Sequence, residues 1–463
     1  MNRNNFTRQS LLLCAIVFVA SSFLSAQTYT ELLSFNGNSA AGPDAPMTQG
    51  IDGNLYGTTN VGGTGACRGS AIGCGVIFRL TRAGEFKVLY NFPTSDWESF
   101  YGLVVGPDGN LYGETQSGNG TVFRLTPGGN YTTVYSFSGG LGGAATLSPL
   151  TLGSDGNFYG ATYNGGTPSN SCPSGCGTIF KVTPTGKLTT LYSFCSQNYC
   201  PDGENPSGPL AEGPDGNFYG TTINGGLYRQ GTIFKITANG TFTLLHTMDN
   251  DVSGSSGFIL ASDGNLYGRS GYGIYRFTLQ GVITVLPGNI GSFAFMQASD
   301  GNFYGTAPDG AHGLGQIFQM PITGNFTDLY NFSGYPTDGS NPFGGVVQYT
   351  DGKFYGQTYT GGSAPCNYGG NPGCGTLYSL DMGLPPMVAF VRGIGRVGQS
   401  FGILGQGLTG TTSILVNGVP ATFSVKSDTL IVTSVPAGAT SGYVTVTTPS
   451  GNLTSNAPFW VLP

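Results

Sequence analysis

The sequence predicts an all-β protein: a seven-bladed β-propeller followed by a small immunoglobulin-like β-sandwich. A hexapeptide, Asp-Gly-(Asn/Lys)-(Leu/Phe)-Tyr-Gly, recurs at a mean spacing of about 50 residues, which is typical of propellers and other repeat arrays. Of the 463 residues, 80 are Gly and only 9% are charged, a composition that favours short strands and turns over helices. The hexapeptide begins at Asp52, Asp108, Asp155, Asp215, Asp263, Asp300 and Asp351.

Each repeat contains four strand-like pieces, which are clearest between Gly208 and Leu245. A short apolar lead precedes the Asp-Gly-Asn turn, the hexapeptide opens the second piece, and two further apolar pieces follow. Four short antiparallel strands make one propeller blade. The tight turns after the first and third pieces share one face, which we call the turn side. The long loops lie on the opposite face, which we call the loop side.

The Asp of the hexapeptide is predicted to be a turn former, because Asp-Gly-Asn suits tight hairpins. Calcium is an alternative role, since the ion prefers oxygen ligands. One carboxylate per isolated turn supplies too few of them.

The seventh repeat lacks a fourth piece, because the chain passes from Leu380 directly to Pro385-Pro386. A spare copy of that piece, Glu31–Phe35, stands near the N-terminus. We therefore predict that this N-terminal strand completes the seventh blade by pairing with the segment from Gly375 to Leu380. Such pairing closes the ring and removes open sheet edges.

Residues 1–26 have the layout of a secretory signal peptide, with Arg3 and Arg8 before an apolar run and cleavage after Ala26. The run is too short to span a bilayer. Removal of the two arginines lowers the 17 basic residues further below the 23 acidic ones. This charge argues against nucleic acid and anionic membranes as partners. The sequence predicts a secreted or cell-surface monomer with no transmembrane segment in the mature chain.

Outside residues 1–26 the cysteines form an even set of close neighbours, which in an exported chain indicates disulfides. The neighbours are Cys67 and Cys74, Cys172 and Cys176, Cys195 and Cys200, and Cys366 and Cys374. Crossed pairing between the second and third pairs stays open, and metal ligation is the alternative. Irregular spacing disfavours a metal, so no metal or other cofactor is expected. Each bridge is worth about 2 kcal/mol or less, because it closes a short loop.

The Asp-Gly-Asn-Leu-Tyr-Gly-Thr-Thr, Gly-Thr-Ile-Phe-Lys-Ile-Thr and Leu-Tyr-Ser-Phe pieces together resemble the GloVer tandem repeat of exported bacterial proteins. The resemblance extends roughly from Tyr29 to Leu380. It implies an exported or surface protein and no established activity.

From Pro385 a different pattern begins, with Gly-x-x-x-x-Ile-x-Gly-x-Gly at residues 398–407 and Val-Pro-x-Gly at residues 435–438. This pattern resembles the IPT/TIG immunoglobulin-like domain, which implies a spacer or adhesive module. We expect a signal peptide at residues 1–26, a propeller at 27–382 and an IPT/TIG domain at 383–463.

Candidate ligand residues lie on the loop side, because variable loops on a rigid scaffold usually carry binding. The residue after Tyr-Gly is Thr or Ala in four repeats but Glu114, Arg269 and Gln357 in the others. Local polar residues packed between blades are the alternative interpretation of these three. The loops add the candidates Asn164, Asn224, Asp202 and Asp338.

The Asp-Gly-Asn-Leu-aromatic turn also resembles that of streptogramin lyases, whose chemistry depends on histidine. The chain has only His246 and His312, which we interpret as structural or solvated. A glycosidase would need paired carboxylates. Exposed tryptophans on which a sugar could stack are nearly absent, because Trp97 lies in a blade connection and Trp460 is expected in the sandwich core. We predict a non-catalytic recognition or structural protein that binds a glycan or envelope partner. A secreted lyase or glycoside hydrolase is the alternative.

Overall fold

The computed structural model describes residues 27–67, 73–93, 102–116, 118–139, 144–146, 148–169, 172–249, 252, 257–271, 273–288, 291, 293–368 and 370–463. Residues 1–26, with the predicted signal peptide, and Trp97 lie outside the described residues. Within the described ranges, no helix is long and apolar enough to cross a membrane.

Seven antiparallel sheets each contain one hexapeptide, and we number them sheets 1 to 7 along the chain. Six of them have four strands, and sheet 3 has five because its first strand is split. The first strand, β1 (Thr28–Ser34), belongs to sheet 7. Sheet 1 contains β2 (Thr48–Gln49), β3 (Leu55–Thr59), β4 (Val76–Leu80) and β5 (Phe86–Asn91). Sheet 2 contains β6 (Val104–Val105), β7 (Leu111–Thr115), β8 (Thr121–Leu125) and β9 (Tyr131–Ser136). Sheet 3 contains the split first strand β10 (Ala144–Thr146) and β11 (Thr151–Leu152), then β12 (Phe158–Asn164), β13 (Thr178–Val182) and β14 (Leu188–Ser193).

The remaining sheets repeat this order. Sheet 4 contains β15 (Glu204–Glu212), β16 (Phe218–Asn224), β17 (Thr232–Ile236) and β18 (Phe242–Thr247). Sheet 5 contains β19 (Phe258–Leu260), β20 (Leu266–Ser270), β21 (Gly273–Phe277) and β22 (Ile283–Val285). Sheet 6 contains β23 (Ala294–Gln297), β24 (Phe303–Ala307), β25 (Gln316–Met320) and β26 (Thr327–Asn331). Near sheet 7 the loop strands β27 (Gly339–Ser340), β30 (Thr360–Gly361), β31 (Asn367–Tyr368) and β32 (Asn371–Pro372) form two short pairs, and the sheet itself contains β28 (Val346–Gln348), β29 (Phe354–Thr358), β33 (Thr376–Asp381) and β1.

The hexapeptide fixes the turn between the first two strands of every sheet. In sheet 4, Oδ1 of Asp215 accepts the backbone N–H of Asn217 at 3.2 Å, and Oδ2 accepts the hydroxyl of the buried Tyr219 at 2.9 Å. Gly216 between them has φ +74°, a conformation that costs glycine little. The same two bonds recur in all seven sheets. The predicted role of this Asp as a turn former is confirmed.

Asp215→Ala is expected to lower the free energy of unfolding by about 1–3 kcal/mol, because the buried Tyr219 hydroxyl loses its acceptor. Urea unfolding measures the change. Asp328→Ala, on the exposed part of β26, is the control and is expected to stay within about 0.5 kcal/mol of the parent. Equal stability of the two variants would show that the Tyr–Asp bond contributes nothing.

Sheet 7 combines the two ends of the repeat region. β1 pairs antiparallel with β33, from Thr28 opposite Asp381 to Ser34 opposite Thr376. The structure therefore shows the predicted pairing of the N-terminal strand with the segment from Gly375 to Leu380. Phe35, just after β1, is buried against Phe78 of sheet 1, with ring centroids 6.2 Å apart.

A polar contact at the turn side links neighbouring sheets. A Gln or Glu at the end of the first strand accepts the backbone N–H of the residue before the Asp-Gly turn of the preceding sheet. The pairs are Glu212 with Ser154 at 2.7 Å, Gln297 with Ser262 at 2.7 Å, Gln348 with Ser299 at 2.8 Å and Gln49 with Thr350 at 3.3 Å. The last pair joins sheet 1 to sheet 7, so the two terminal sheets meet through the same contact as internal neighbours.

Four disulfides lie in the loop-side connections. Their pairing is Cys67 with Cys74, Cys172 with Cys176, Cys195 with Cys200, and Cys366 with Cys374. The predicted local pairs are confirmed, and the crossed alternative among the middle four is not the one the structure shows. Disulfides of this number are typical of proteins outside the cytoplasm.

The C-terminal strands form a separate pair of sheets. The strands are β34 (Ala389–Phe390), β35 (Ile394–Arg396), β36 (Ser400–Leu404), β37 (Ser413–Val416), β38 (Val419–Pro420), β39 (Phe423–Ser427), β40 (Leu430–Ser434), β41 (Val444–Thr448), β42 (Gly451–Thr454) and β43 (Trp460–Leu462). One sheet has the order β34-β36-β40-β39 and the other β38-β37-β41-β42, while β35 and β43 pair in parallel. Both sheets contribute to one buried cluster that includes Phe401, Ile414 and Val446.

The C-terminal strands cover the turn side of the seven sheets. Arg392 Nη1 donates to Ser154 O at 2.8 Å, and Thr429 Oγ1 donates to Ile51 O at 2.8 Å. The Trp460 indole lies 3.3 Å from the position a Cβ would take on Gly264, in the turn of sheet 5. The expectation that Trp460 lies in the sandwich core is wrong, because this half-buried ring packs between the two units.

Candidate functional site

The loop side contains a cavity of about 390 Å³, which we call the loop-side pocket. Its walls come from the beginnings of the first strands of six sheets and from β20. The lining residues are Asp44, Ala45, Pro46, Pro149, Ser207, Gly208, Pro209, Gly257, Phe258, Ile259, Tyr267, Arg269, Phe293, Ala294, Phe295 and Phe343. The pocket therefore lies where the seven sheets converge, on the side away from the C-terminal strands.

The repeat places chemically different residues at one equivalent position of this wall. In sheets 1, 4 and 7 one first-strand residue pairs with the hexapeptide Tyr, and the residue before it is apolar. Three residues before that apolar residue lie Asp44, Ser207 and Phe343, respectively. All three line the pocket. Equivalent backbone positions thus give the pocket an acid, a hydroxyl and an aromatic ring.

Two charged side chains line the pocket, Arg269 on β20 and Asp44 before β2. Burial lowers the pKa of the Arg269 guanidinium. Burial also raises the pKa of the Asp44 carboxyl to about 7, although the amide of Asn60 donates to Oδ2 at 2.6 Å and acts in the opposite direction. Oδ1 of Asp44 is buried and has no hydrogen-bond partner among the described residues.

Aromatic rings form another part of the wall. Phe293 and Phe343 pack edge to face with ring centroids 4.7 Å apart, and Tyr359 lies 5.3 Å from Phe343. Phe343 remains 37% exposed, so its ring is accessible to a ligand. The pocket combines apolar walls with few polar groups, as small-molecule sites commonly do.

Of the three residues predicted from the position after Tyr-Gly, Arg269 alone lines the loop-side pocket. Gln357 is buried, and its Nε2 donates to Ala45 O of the next sheet. Thr306 makes the equivalent contact to Pro342 O at 2.6 Å. This position therefore joins adjacent sheets, which agrees with the alternative interpretation for Gln357.

Glu114 is fully buried and is not among the pocket residues. Burial raises the pKa of its carboxyl well above the usual value. Neither carboxyl oxygen has a hydrogen-bond partner among the described residues. The structure does not bring Glu114 and Arg269 together in this pocket.

Three of the four loop candidates make side-chain contacts with nearby loop and strand residues. Asp202 accepts the Tyr192 hydroxyl at 2.8 Å and the Cys195 N–H at 3.0 Å. Asp338 accepts the equivalent Tyr330 hydroxyl and two backbone N–H groups. Asn224 donates to Asn205 at 3.1 Å, and Asn164 ends β12. These contacts shape the loops, and none of the four lines the loop-side pocket.

Neither histidine lines the pocket. His246 lies on β18, and His312 is exposed in the β24–β25 loop. The sulfurs of Cys176, Cys195 and Cys200 lie within 4.8 Å of each other and of a Glu204 carboxylate oxygen, a spacing that could hold a metal. All three sulfurs are in disulfides, so this cluster offers no thiolate.

Sequence reasoning missed Asp44, Phe293 and Phe343 as pocket residues. Asp44 lies in the connection that leads from β1 to β2. For Asp44 and Phe343 the available signal was their position three residues before the apolar residue of the first strand. This position can be identified only once the strand register is known, because the pairing of β15 with β16 shifts register between Ser207 and Ala211.

Known structures share this architecture. A streptogramin B lyase matches with a TM-score of 0.54 and 18% identity over 77% of this chain and 98% of that chain. A catalytically inactive variant of virginiamycin B lyase from Staphylococcus aureus, solved with quinupristin, has a TM-score of 0.54 and 18% identity over 76% and 99%. The extracellular domain of a putative hybrid two-component system from B. thetaiotaomicron has a TM-score of 0.50 and 12% identity over 94% and 58%. At these identities the likeness concerns the fold, so the seven sheets resemble propeller folds.

No curated protein matches the sequence. The family model of the Gloeobacter/Verrucomicrobia repeat matches residues 18–171 and 65–282. These matches span more than half of the chain and contain the first five hexapeptides. The chain belongs to the Gloeobacter/Verrucomicrobia repeat family.

Proposed function

We propose that the chain is an exported, non-catalytic recognition protein that binds a glycan or envelope partner through its loop side. A signal peptide at residues 1–26 directs export, and residues 27–382 form a closed seven-bladed propeller. Residues 383–463 form an IPT/TIG-type immunoglobulin-like domain. The four disulfides support an oxidising destination.

The observation that carries this proposal is the asymmetry between the two sides. On the turn side, C-terminal residues such as Arg392, Thr429 and Trp460 pack over the Asp-Gly turns. On the loop side, the pocket with Arg269 and Phe343 is not covered by those strands. Ligand access is therefore concentrated on the loop side.

The pocket favours binding over the hydrolytic alternative. Glycosidases need two carboxylates across the scissile bond, whereas Asp44 is the one carboxylate among the described lining residues. A histidine general base also has no counterpart there, because neither His246 nor His312 lines it. The lyase-like fold adds no weight, since propellers host many functions.

Binding of the full chain to arrayed glycans and cell-envelope fractions is the direct test. Arg269→Ala is expected to weaken binding at least tenfold, about 1.4 kcal/mol, because it removes the pocket's guanidinium. Arg276→Ala, on β21 of the same sheet and outside the pocket, is the matched control. Turnover in a parallel hydrolase and lyase screen, lost in Arg269→Ala, would instead favour the enzyme alternative.

A further inference from the structure

One carboxyl oxygen of Asp44 accepts no hydrogen bond from the described residues, which makes this carboxyl a candidate acceptor for a ligand. A buried acceptor without a donor is unfavourable, and native proteins rarely leave one unpaired. Oδ1 of Asp44 is buried without a partner, while Oδ2 is held by Asn60 at 2.6 Å. One residue further on, Ala45 O accepts the amide of Gln357, whose own Oε1 is also buried without a partner. A ligand that donates a hydrogen bond would therefore suit the Asp44 carboxyl.

Arg269 restricts which donor fits. A divalent cation requires several oxygen ligands, and the described lining has one carboxylate and one guanidinium. An ammonium ligand would be repelled by Arg269. An anion would be repelled by Asp44 in its ionised form, which predominates above the pKa of about 7. A neutral hydroxyl meets both requirements, because its O–H donates to a carboxylate while its oxygen accepts from a guanidinium.

The walls select for a ring with an apolar face. Pro46, Pro149 and Pro209 lie around the pocket, and Phe343 presents a ring that is 37% exposed. A pyranose has hydroxyls around its edge and C–H groups on its face, which suits an aromatic surface. The volume of about 390 Å³ lies within the range of about 300–1,000 Å³ for small-molecule sites.

We propose that the loop-side pocket binds a neutral mono- or disaccharide unit. A ring hydroxyl donates to the Asp44 carboxyl, a hydroxyl oxygen accepts from Arg269, and the C–H face packs against Phe343. This inference rests on the proposed recognition function and names the ligand class of the same site.

The test is titration of the full chain, followed by saturation-transfer NMR and calorimetry. The probes are neutral hexose disaccharides, their uronic acid counterparts and amino-sugar counterparts carrying a free ammonium group. The neutral sugars are expected to bind at least tenfold more tightly than either charged set. Asp44→Asn and Phe343→Ala are each expected to weaken neutral-sugar binding at least tenfold. Asp309→Asn, an exposed loop-side control, should leave it unchanged, and thermal melts establish that each variant is folded.

Distinct outcomes separate this inference from the recognition function. Neutral-sugar binding that is unchanged in Asp44→Asn and Phe343→Ala would place the sugar elsewhere and overturn the inference. Tighter binding of uronic acids, strengthened by Asp44→Asn, would identify an anion site and also overturn it. If no saccharide binds but an envelope fraction does, the inference fails and recognition stands. If neither binds, both fail.

Discussion

A chain that begins at residue 38 instead of residue 27 is expected to lose the single cooperative melt of the full protein. The truncation removes β1, which forms the outer strand of sheet 7 through its pairing with β33. It also removes Tyr29, which stacks on Tyr330 of sheet 6 at 4.0 Å, and Phe35, which packs on Phe78 and Phe86 of sheet 1. Loss of a buried Phe side chain alone costs about 3–5 kcal/mol. The whole deletion thus approaches the total stability of many domains, about 5–15 kcal/mol.

Calorimetry and amide hydrogen exchange along β33 measure this effect. Thr30→Ala, at an exposed position of β1, is the control and should change stability by less than about 0.5 kcal/mol. Addition of a synthetic peptide of residues 27–37 is expected to restore the melt, because it supplies the missing strand to the open sheet edge. A truncated chain that melts like the full one would refute the proposed closure.

Glu212→Gln is expected to remove a pH-dependent loss of stability. Burial raises the pKa of the Glu212 carboxyl to about 7, although Ser154 donates both N–H and O–H to it. In the unfolded chain a Glu titrates near 4.3. Between these two values the folded chain keeps a proton that the unfolded chain has released. The free energy of unfolding therefore falls as pH rises from about 4.3 to 7.

The full penalty is present above the folded pKa, and its size is about 4 kcal/mol. Gln makes the same contact in sheets 6 and 7, through Gln297 and Gln348, so Glu212→Gln keeps the link without the ionisable group. Urea unfolding from pH 4 to 8.5 should show the variant more stable than the parent at pH 8 and nearly equal at pH 4. The reciprocal Gln297→Glu should lower the free energy of unfolding more at pH 8 than at pH 4. If the free energy of unfolding changed with pH equally in the parent and in Glu212→Gln, this account would be contradicted.

The architecture could be predicted because it depends on local, repeated chemistry. The turn needs an Asp, a Gly with positive φ such as Gly216, and four residues after the Asp a Tyr whose hydroxyl reaches the carboxylate. The residues that form this turn therefore recur in the sequence seven times. The pairing of β1 followed from a count of strands, and the local disulfides followed from cysteine spacing.

The pocket could not be predicted in the same way, because seven segments contribute one to three residues each. Asp44 and Phe343 are far apart in sequence and share a wall through the packing of the sheets. The covered turn side also left no signal, since the contact from Thr429 to Ile51 joins a backbone oxygen to an ordinary threonine. Trp460 is expected in the sandwich core from the sequence, but its strand turns the ring towards Gly264.

The pairing of β1 with β33 also determines the order in which contacts become possible. Each disulfide joins cysteines four to eight residues apart, so every bridge can form as soon as its own loop has emerged. Glu31 bonds Ser363 across 332 residues of chain, and closing so long a loop carries an entropic cost that shorter loops avoid. The first strand in chain order is therefore the last in the seven sheets to gain its partner, and its edge stays unpaired until β33 has been made.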